Sequence, residues 1–470
     1  MSEQRLSLKQ KFQIFFLGVV VPCAVVFALY QFTSQKILFI ILVNLVYFFK
    51  TLTYKYSSDD IPVSQRPPRM KDKFEELLCW LDARIRFEPQ ADHAMTTVIH
   101  AAVAVFIYTG FGSTDISFLA AILFSFNPTN NQGSVWISGR AYALAALGLM
   151  MAMTFPKFSG PFVLLMTYTN AGFLTPIVLM ATKFSSYYWL VIPFCWFINW
   201  KRFAGNVKNK IDREMITEDK AIKPEKIILA IKTFGFYTML SLIPFQNAFY
   251  HSYLQSSSGS GVAKAYTMKD RFFFFGLAFI GFFGWYVCTH WWDLQCFAIL
   301  LYCVALAPFC NFMRMSQETA ERYCYLPNVG LMFLLATLLI GHPVAIALVI
   351  GMYVTRMWFL MDMYADDYFL LEHTCLLDPG CWFAWHVRGM KRWDVKSYQE
   401  AVIIWSMCRM ISPKEFKVLY NLATVCAFAG HIEESKHWLA QAEANIPAGQ
   451  ESQLKQLCDE WRAGKMAVIT

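Results

Sequence analysis

The sequence predicts an all-helical integral membrane protein, with a membrane domain of about eleven crossings and a smaller domain of paired helices after it. Three observations predict this fold class. Hydrophobic residues make up 57% of the 470 residues and charged residues only 16%, against about 25% in an ordinary soluble domain. The hydrophobic residues are gathered in runs close to the ~20 residues that a helix needs to cross a bilayer. After residue 361 these runs stop, and a 34-residue period replaces them.

Seven apolar runs are the clearest candidates for membrane helices. The first is too long for the hydrophobic part of a cleavable signal peptide and lacks a small-residue exit, so we expect a retained anchor. These runs are 12–32, 162–181, 227–245, 271–290, 294–312, 325–340 and 343–361.

The apolar run 37–49 differs from the others. It has only about 13 residues, it lies between Lys36 and Lys50, and Asn44 interrupts it. We therefore expect an interfacial or re-entrant helix here. If this run crossed the membrane instead, the basic N-terminus would lie on the outer side, contrary to the rule that basic segments stay in the cytoplasm.

The distribution of Lys and Arg predicts the orientation in the membrane. The loop 200–226 carries eight basic residues, and such an excess marks the cytoplasmic side. Lys157, two crossings earlier, agrees with this. The outer side would then hold the loop before Arg140, residues 246–270, residues 313–324 and the whole C-terminal tail. The compact size and short tail favour a bacterial inner membrane with a periplasmic tail; the alternative is the endoplasmic reticulum membrane with a luminal tail.

The C-terminal tail resembles an array of tetratricopeptide (TPR) repeats. Pro379, Pro413 and Pro447 are 34 residues apart, and two units near 382–415 and 416–449 agree in register. A half-unit would precede them and a polar capping helix would follow. The tail is then either a plain helical hairpin array or a concave surface for a protein partner. Its predicted packing residues are Trp385, Gly389, Ala401, Pro413, Leu422, Ala423 and Pro447.

Charged and polar patches are predicted to converge on the outer face. The adjacent Asp59 and Asp60 suit a general base, or they belong to a solvated loop. Arg140 and Arg322 at helix mouths suit a bound phosphate, or they are snorkelling anchors. These patches favour a functional site because charge at membrane depth is costly. The polar neighbours of these residues are His93 and His100, seven residues apart on one helix face, and Glu321.

The remaining composition excludes two other classes of protein. The net charge of +8 is spread over the loops, so a nucleic-acid partner is not predicted. The 13 cysteines lie mostly in apolar runs, as small core residues do, and predict no disulfide framework. Cys375 and Cys381 are near enough in sequence to pair. No third ligand is spaced to join the two histidines, so a metal site is not implied.

Two stretches carry a family resemblance. "FNPTNNQGSVWISGRAYALAAL" (126–147) and "APFCNFMRMSQETAERYCYLPNVGL" (307–331) are similar to signatures of the transmembrane, TPR-containing O-mannosyltransferase-like proteins, within the GT-C glycosyltransferase superfamily. "ADHAMTTVIHA" (91–101) resembles a two-histidine motif of that family, and "QRPPR" (65–69) resembles its Arg-Pro element. The order of these patches fits nearly the whole chain.

The resemblance implies a GT-C-like enzyme that moves a sugar from a polyprenyl-phosphate donor to Ser or Thr hydroxyls of proteins. Asp59 or Asp60 would take the acceptor's proton. The resemblance places the donor phosphate on Arg140, Arg322 and Arg66, with His93, His100, Glu321 and Tyr325 as the supporting pocket.

Several family positions are replaced in this chain. Tyr142 stands where the family has an acid, Thr96 where it has an asparagine, and Asn127 where it has a histidine. Asn170 and Ala171 replace a charged pair. Scaffold residues are kept better than polar ones, which is the pattern of a fold retained without its reaction. Two hypotheses follow: a membrane glycosyltransferase, or a non-catalytic relative with the membrane domain as anchor and the TPR tail as docking surface.

Overall fold

The computed structural model describes residues 35–55, 57, 89–168, 172–180, 188–214, 224–252, 268–290, 293–311, 319–446 and 451–468. Over these residues the chain forms helices and turns without a strand, which confirms the predicted all-helical class for this part. The helices before residue 362 are α1 (Lys36–Tyr47), α2 (Pro89–Gly110), α3 (Asp115–Phe126), α4 (Asn131–Ser134), α5 (Arg140–Thr154), α6 (Ser159–Tyr168), α7 (Ile177–Met180), α8 (Tyr188–Glu214), α9 (Pro224–Leu242), α10 (Arg271–Thr289), α11 (Leu294–Leu306), α12 (Pro327–Leu339) and α13 (Pro343–Met361).

Five helical segments in the described residues are long and apolar enough to cross a membrane. Several others, such as α3 and α12, are apolar but shorter. The structure therefore agrees with a membrane protein, while the count of about eleven crossings stays a prediction. The five segments are Lys36–Thr53, Pro89–Gly110, Ile137–Thr154, Arg271–Thr289 and Pro343–Ala365.

The helix at 37–49 is longer than the apolar run in the sequence predicted. The α-helix α1 continues as a 3-10 helix over Phe48–Thr53, giving 18 residues without a break. Lys50 does not end the helix, because its ammonium reaches the Asp362 carboxylate at 3.0 Å and the Trp358 carbonyl at 2.6 Å. The expected length of about 13 residues is therefore wrong, while the interfacial or re-entrant placement stays a prediction.

The run 162–181 is not one helix. It contains α6 and α7, separated by a turn around Gly172 and Pro176. A Cβ on Gly172 would lie 2.6 Å from the Met166 carbonyl oxygen, so the chain passes close to the end of α6 there. The expectation of a single continuous helix over this run is wrong. The earlier run 12–32 lies outside the described residues.

The helices α9 and α10 approach closely through glycine. A Cβ on Gly235 or on Gly276 would lie 2.1 or 2.2 Å from a carbonyl oxygen of the facing helix. Such small-residue contacts let helix backbones pack together in a membrane. Lys232 and Asp270, both buried, form an ion pair of 3.1 Å at the same crossing.

Six helices form the C-terminal part of the described chain, and each packs against the next. α15 and α17 begin 34 residues apart (382 and 416), and so do α16 and α18 (398 and 432). This spacing is the period read from the sequence. The helices are α14 (Asp367–Leu377), α15 (Trp382–Asp394), α16 (Tyr398–Ile411), α17 (Phe416–Phe428), α18 (Ile432–Ala444) and α19 (Glu451–Arg462).

Most of the expected packing residues lie between these helices. Gly389 faces the Trp405 ring, which a Cβ would approach to 2.7 Å. Trp385 is half-buried, and its indole N–H donates to the Pro379 carbonyl at 3.0 Å. Pro413 is exposed in the turn before α17, and Pro447 lies outside the described residues. The fully buried members are Ala401, Leu422 and Ala423.

The cysteines of this domain are buried free thiols. Cys375 and Cys381, which are close in sequence, do not form a disulfide. Burial raises the pKa of the Cys375 thiol to about 11 and that of Cys381 to about 12. These side chains therefore act as small apolar core residues.

We expect Gly276→Ala to lower the thermal midpoint of the purified protein, because the added methyl group meets the backbone of α9. Overpacking of this kind costs about 1–3 kcal/mol. Gly281→Ala is the matched control on the same helix, since a Cβ there meets no atom within 4 Å. Equal melting of the two variants would contradict the close crossing.

Candidate functional site

Arg140, the first residue of α5, is paired inside the protein. Its guanidinium donates to the Asp92 carboxylate at 3.1 Å and to the Asp92 backbone carbonyl at 2.8 Å. It also donates to the Thr96 hydroxyl from two nitrogens, at 3.1 and 3.2 Å. The Arg140 side chain is 8% exposed and that of Asp92 1%. Arg140 thus joins α5 to α2 through a buried ion pair, and the snorkelling alternative does not describe it.

Arg322 lies in the short 3-10 helix Glu321–Cys324. Its backbone N–H and its guanidinium both donate to the Gln132 amide oxygen, at 3.2 and 3.3 Å. The guanidinium lies 5.5 Å from the centre of the Trp136 ring and hydrogen-bonds the Tyr142 side chain. Tyr142, which replaces the family's acid, thus supplies a neutral partner for the second arginine.

The Arg322 side chain lies against the segment that contains Arg140. Arg322 contacts Gln132, Trp136 and Tyr142, and Arg140 belongs to that same stretch of chain. A Cβ on Gly139 would lie 1.6 Å from the Gln132 carbonyl oxygen, so the segment turns back on itself there. Residues far apart in sequence are therefore neighbours at the start of α5.

Glu321 is fully buried, and both of its carboxylate oxygens accept hydrogen bonds. The Asn131 amide donates to one oxygen at 2.8 Å. The Ala248 backbone N–H donates to the other at 2.6 Å, and the His251 ring lies 3.1 Å from that same oxygen. This carboxylate holds the loop 247–252, which we call the junction loop, against α4 and the 3-10 helix Glu321–Cys324.

His100 links α2 to two other segments through hydrogen bonds from both nitrogens of its ring. Its Nδ1 lies 2.6 Å from the Tyr325 hydroxyl, and its Nε2 lies 3.1 Å from the Ser125 carbonyl. Since the carbonyl can only accept, Nε2 carries the proton and the Tyr325 hydroxyl donates to Nδ1. Gly133 lies under the Tyr325 ring, which a Cβ would approach to 2.1 Å. The pair fastens α2, α3 and the 319–326 segment together.

His93 does not share these contacts. Its Nε2 lies 3.4 Å from the Lys55 carbonyl, and its ring packs edge-on against Tyr54. His93 and His100 therefore make separate contacts, about two helical turns apart along α2. In the residues that the structure describes, no group of three His, Cys, Asp or Glu side chains is arranged to hold a metal ion.

The polar segment 127–132 was expected as part of an outer-face patch, but its complete burial was not predicted. Its side chains are fully buried and bond to other parts of the protein. The Asn127 amide donates to the Ser241 carbonyl at 2.8 Å, and the Asn328 amide donates to both Thr129 and Asn130. Six polar or proline residues in a row inside an apolar region were the available signal, since such groups must find partners when buried.

The remaining expected site residues lie outside the described part of the chain. These are Asp59 and Asp60, the expected base, and Arg66, the third expected phosphate ligand. Asn170 and Ala171 lie there too.

Comparison of the chain with protein-family models, with curated proteins and with solved structures found no match.

We expect Asp92→Ala to destabilise the protein strongly, because Arg140 then stays buried without its carboxylate. Breaking a buried ion pair from one side costs about 3–5 kcal/mol. The double variant Asp92→Leu with Arg140→Met removes both charges and is expected to melt above the single variant.

Thermal unfolding in detergent measures both effects. Asp115→Ala is the control, since that carboxylate is 78% exposed in its pair with Lys36 and its loss costs about 1 kcal/mol or less. Wild-type stability of Asp92→Ala would show that Arg140 does not depend on this pair.

Proposed function

We propose that this chain is a non-catalytic membrane scaffold, whose helical bundle anchors a C-terminal docking domain for another protein. The observation that carries the proposal is the ion pair between Arg140 and Asp92. A phosphate on Arg140 would lie beside the buried Asp92 carboxylate, and like charges at that distance repel. The arginine that would grip a lipid phosphate is thus used to hold two helices together.

The other polar groups of the region support the same proposal. Glu321 is committed to Asn131, Ala248 and His251, and His100 is committed to Tyr325 and Ser125. Each bond joins segments distant in sequence. A buried network with its members satisfied in this way stabilises one arrangement of helices.

The C-terminal domain supports a docking role. Its helices repeat with the TPR period, and we propose that they form a short TPR-type array with a protein-binding surface. The domain is fixed to the bundle by the junction loop. The Asp378 carboxylate accepts from the Ser252 backbone N–H at 2.5 Å and from its hydroxyl at 2.6 Å. Tyr250 packs edge-on against Phe383, with ring centres 5.0 Å apart.

The proposal includes a membrane topology. The basic loop 200–226 would lie in the cytoplasm and the docking domain on the outer side of a membrane domain with about eleven crossings in total. A bacterial inner membrane with a periplasmic domain fits the size of the chain. The endoplasmic reticulum with a luminal domain is the alternative.

A glycosyltransferase of GT-C type is the second candidate. The observation that favours it is the convergence of Arg140 and Arg322 on the segment 132–142. In that case a polyprenyl-phosphate sugar would be the donor, Asp59 or Asp60 the base, and Arg66 a further phosphate ligand.

One experiment separates the two candidates. We expect the double variant Asp59→Asn, Asp60→Asn to leave the glycans on proteins of the same compartment unchanged, and to keep its co-purifying proteins. Deletion of 380–470 is expected to release those proteins while the glycans again stay unchanged. Quantitative mass spectrometry of glycopeptides and of affinity-purified membranes measures both.

Loss of glycans in the Asp59 and Asp60 double variant would overturn the scaffold and establish the enzyme. In the full chain, Asp378→Ala removes only the acceptor of Ser252 and tests whether co-purification depends on how the domain is fixed to the bundle. Unchanged co-purification in the deletion variant would also contradict docking by this domain.

A further inference from the structure

Helix α16 presents an apolar stripe on its outer side. Ile403, Met407 and Met410 are 62%, 44% and 77% exposed. They are spaced by four and three residues, so they share one face of the helix. Trp405 and Cys408 face the other way and are fully buried. Exposed hydrophobic side chains gathered on one face indicate a contact surface, whereas single scattered ones do not.

Cations lie at both ends of this stripe. Exposed Lys396 stands beside Val395, which is 66% exposed, in the turn before α16. Exposed Lys414 follows the end of the helix. An apolar helix face flanked by basic residues is typical of helices that lie in a membrane interface and contact anionic lipids.

Exposed apolar side chains also lie where the domain follows a segment that is long and apolar enough to cross a membrane. Phe359, near the end of α13, is 47% exposed. Helix α14 begins two residues after the segment Pro343–Ala365 ends, and its Phe369 and Leu376 are 47% and 72% exposed. Because α14 follows this candidate span directly, we expect the domain to start at the membrane surface, with these hydrophobic side chains exposed.

The next helix in the same position of the repeat is different. Helix α18, one 34-residue period after α16, exposes Glu433, Glu434, Lys436 and Gln441 along its length, and its one exposed large hydrophobic residue is Ile432 at its start. Exposed large hydrophobic side chains are thus concentrated on α14 and α16, which follow the membrane segment in the chain. A bilayer at one end of the domain would explain why the exposed hydrophobic side chains are concentrated there.

We propose that the outer face of α14 and α16 lies on the lipid bilayer. Ile403, Met407 and Met410 would insert at the boundary of headgroups and acyl chains. Lys396 and Lys414 would contact the phosphates of anionic lipids. Helix α16, about 21 Å long, would lie parallel to the membrane. This surface is separate from the protein-docking role and does not depend on it.

The test places a photo-reactive phenylalanine analogue at Met410, and in a second protein at Ile403. The full chain is reconstituted in nanodiscs of phosphatidylcholine and phosphatidylglycerol, irradiated and weighed intact by mass spectrometry. The control carries the analogue at Ala440, an exposed residue of α18. We expect phospholipid adducts at Met410 and Ile403 in about tenfold excess over Ala440, since only these side chains would reach the acyl chains.

Equal lipid adducts at all three positions would overturn the proposal. Adducts of Met410 and Ile403 to a co-purified protein or to a second copy of the chain would overturn it too, and would assign this face to a protein contact.

A second variant tests the role of charge. Lys396→Glu with Lys414→Glu is expected to reduce the Met410 adduct several-fold in discs containing phosphatidylglycerol, and to leave it unchanged in pure phosphatidylcholine. Lys436→Glu is the matched control, since Lys436 is 63% exposed on α18. An unchanged adduct in the anionic discs would remove the two lysines from the contact.

Discussion

The membrane domain depends on one constraint: a polar group buried among apolar helices must find its partner within the protein. Glu321 shows this most clearly, since a fully buried carboxylate is costly unless both of its oxygens are bonded. Asn131, Ala248 and His251 meet that requirement from two different segments. Because each donor must be in place, the carboxylate selects a single arrangement of the helices around it. Arg140 and His100 extend the same principle to α2, α3 and α5.

The predictions from sequence succeeded where the signal is local. The bounds of α10 and α13 match the runs 271–290 and 343–361 within a residue, because an apolar run and the helix it forms are both properties of neighbouring residues. The 34-residue spacing of the helices in the C-terminal domain could be predicted for the same reason. The length of the helix at 37–49 was underestimated because Lys50 pairs with Asp362, more than three hundred residues away, and no local pattern contains that contact.

The candidate site shows the same limit. Arg140 and Arg322 were singled out from sequence, and the structure brings them to one segment. The partner of Arg140 was missed, since Asp92 lies in the quoted patch beside His93 but nothing in its spacing links it to Arg140. Ala248 could not have been found at all, because its contribution to Glu321 is a backbone N–H and any residue carries one.

The junction loop has a mechanical consequence. The C-terminal domain is attached covalently through α13 and held a second time where Asp378 grips Ser252. A domain attached at one point can rotate about that point, whereas a domain attached at two separated points keeps a fixed orientation. Under the proposed docking role, a protein bound to this domain would be held at a fixed angle to the bilayer. The helices of the bundle would thereby determine the orientation of the bound protein.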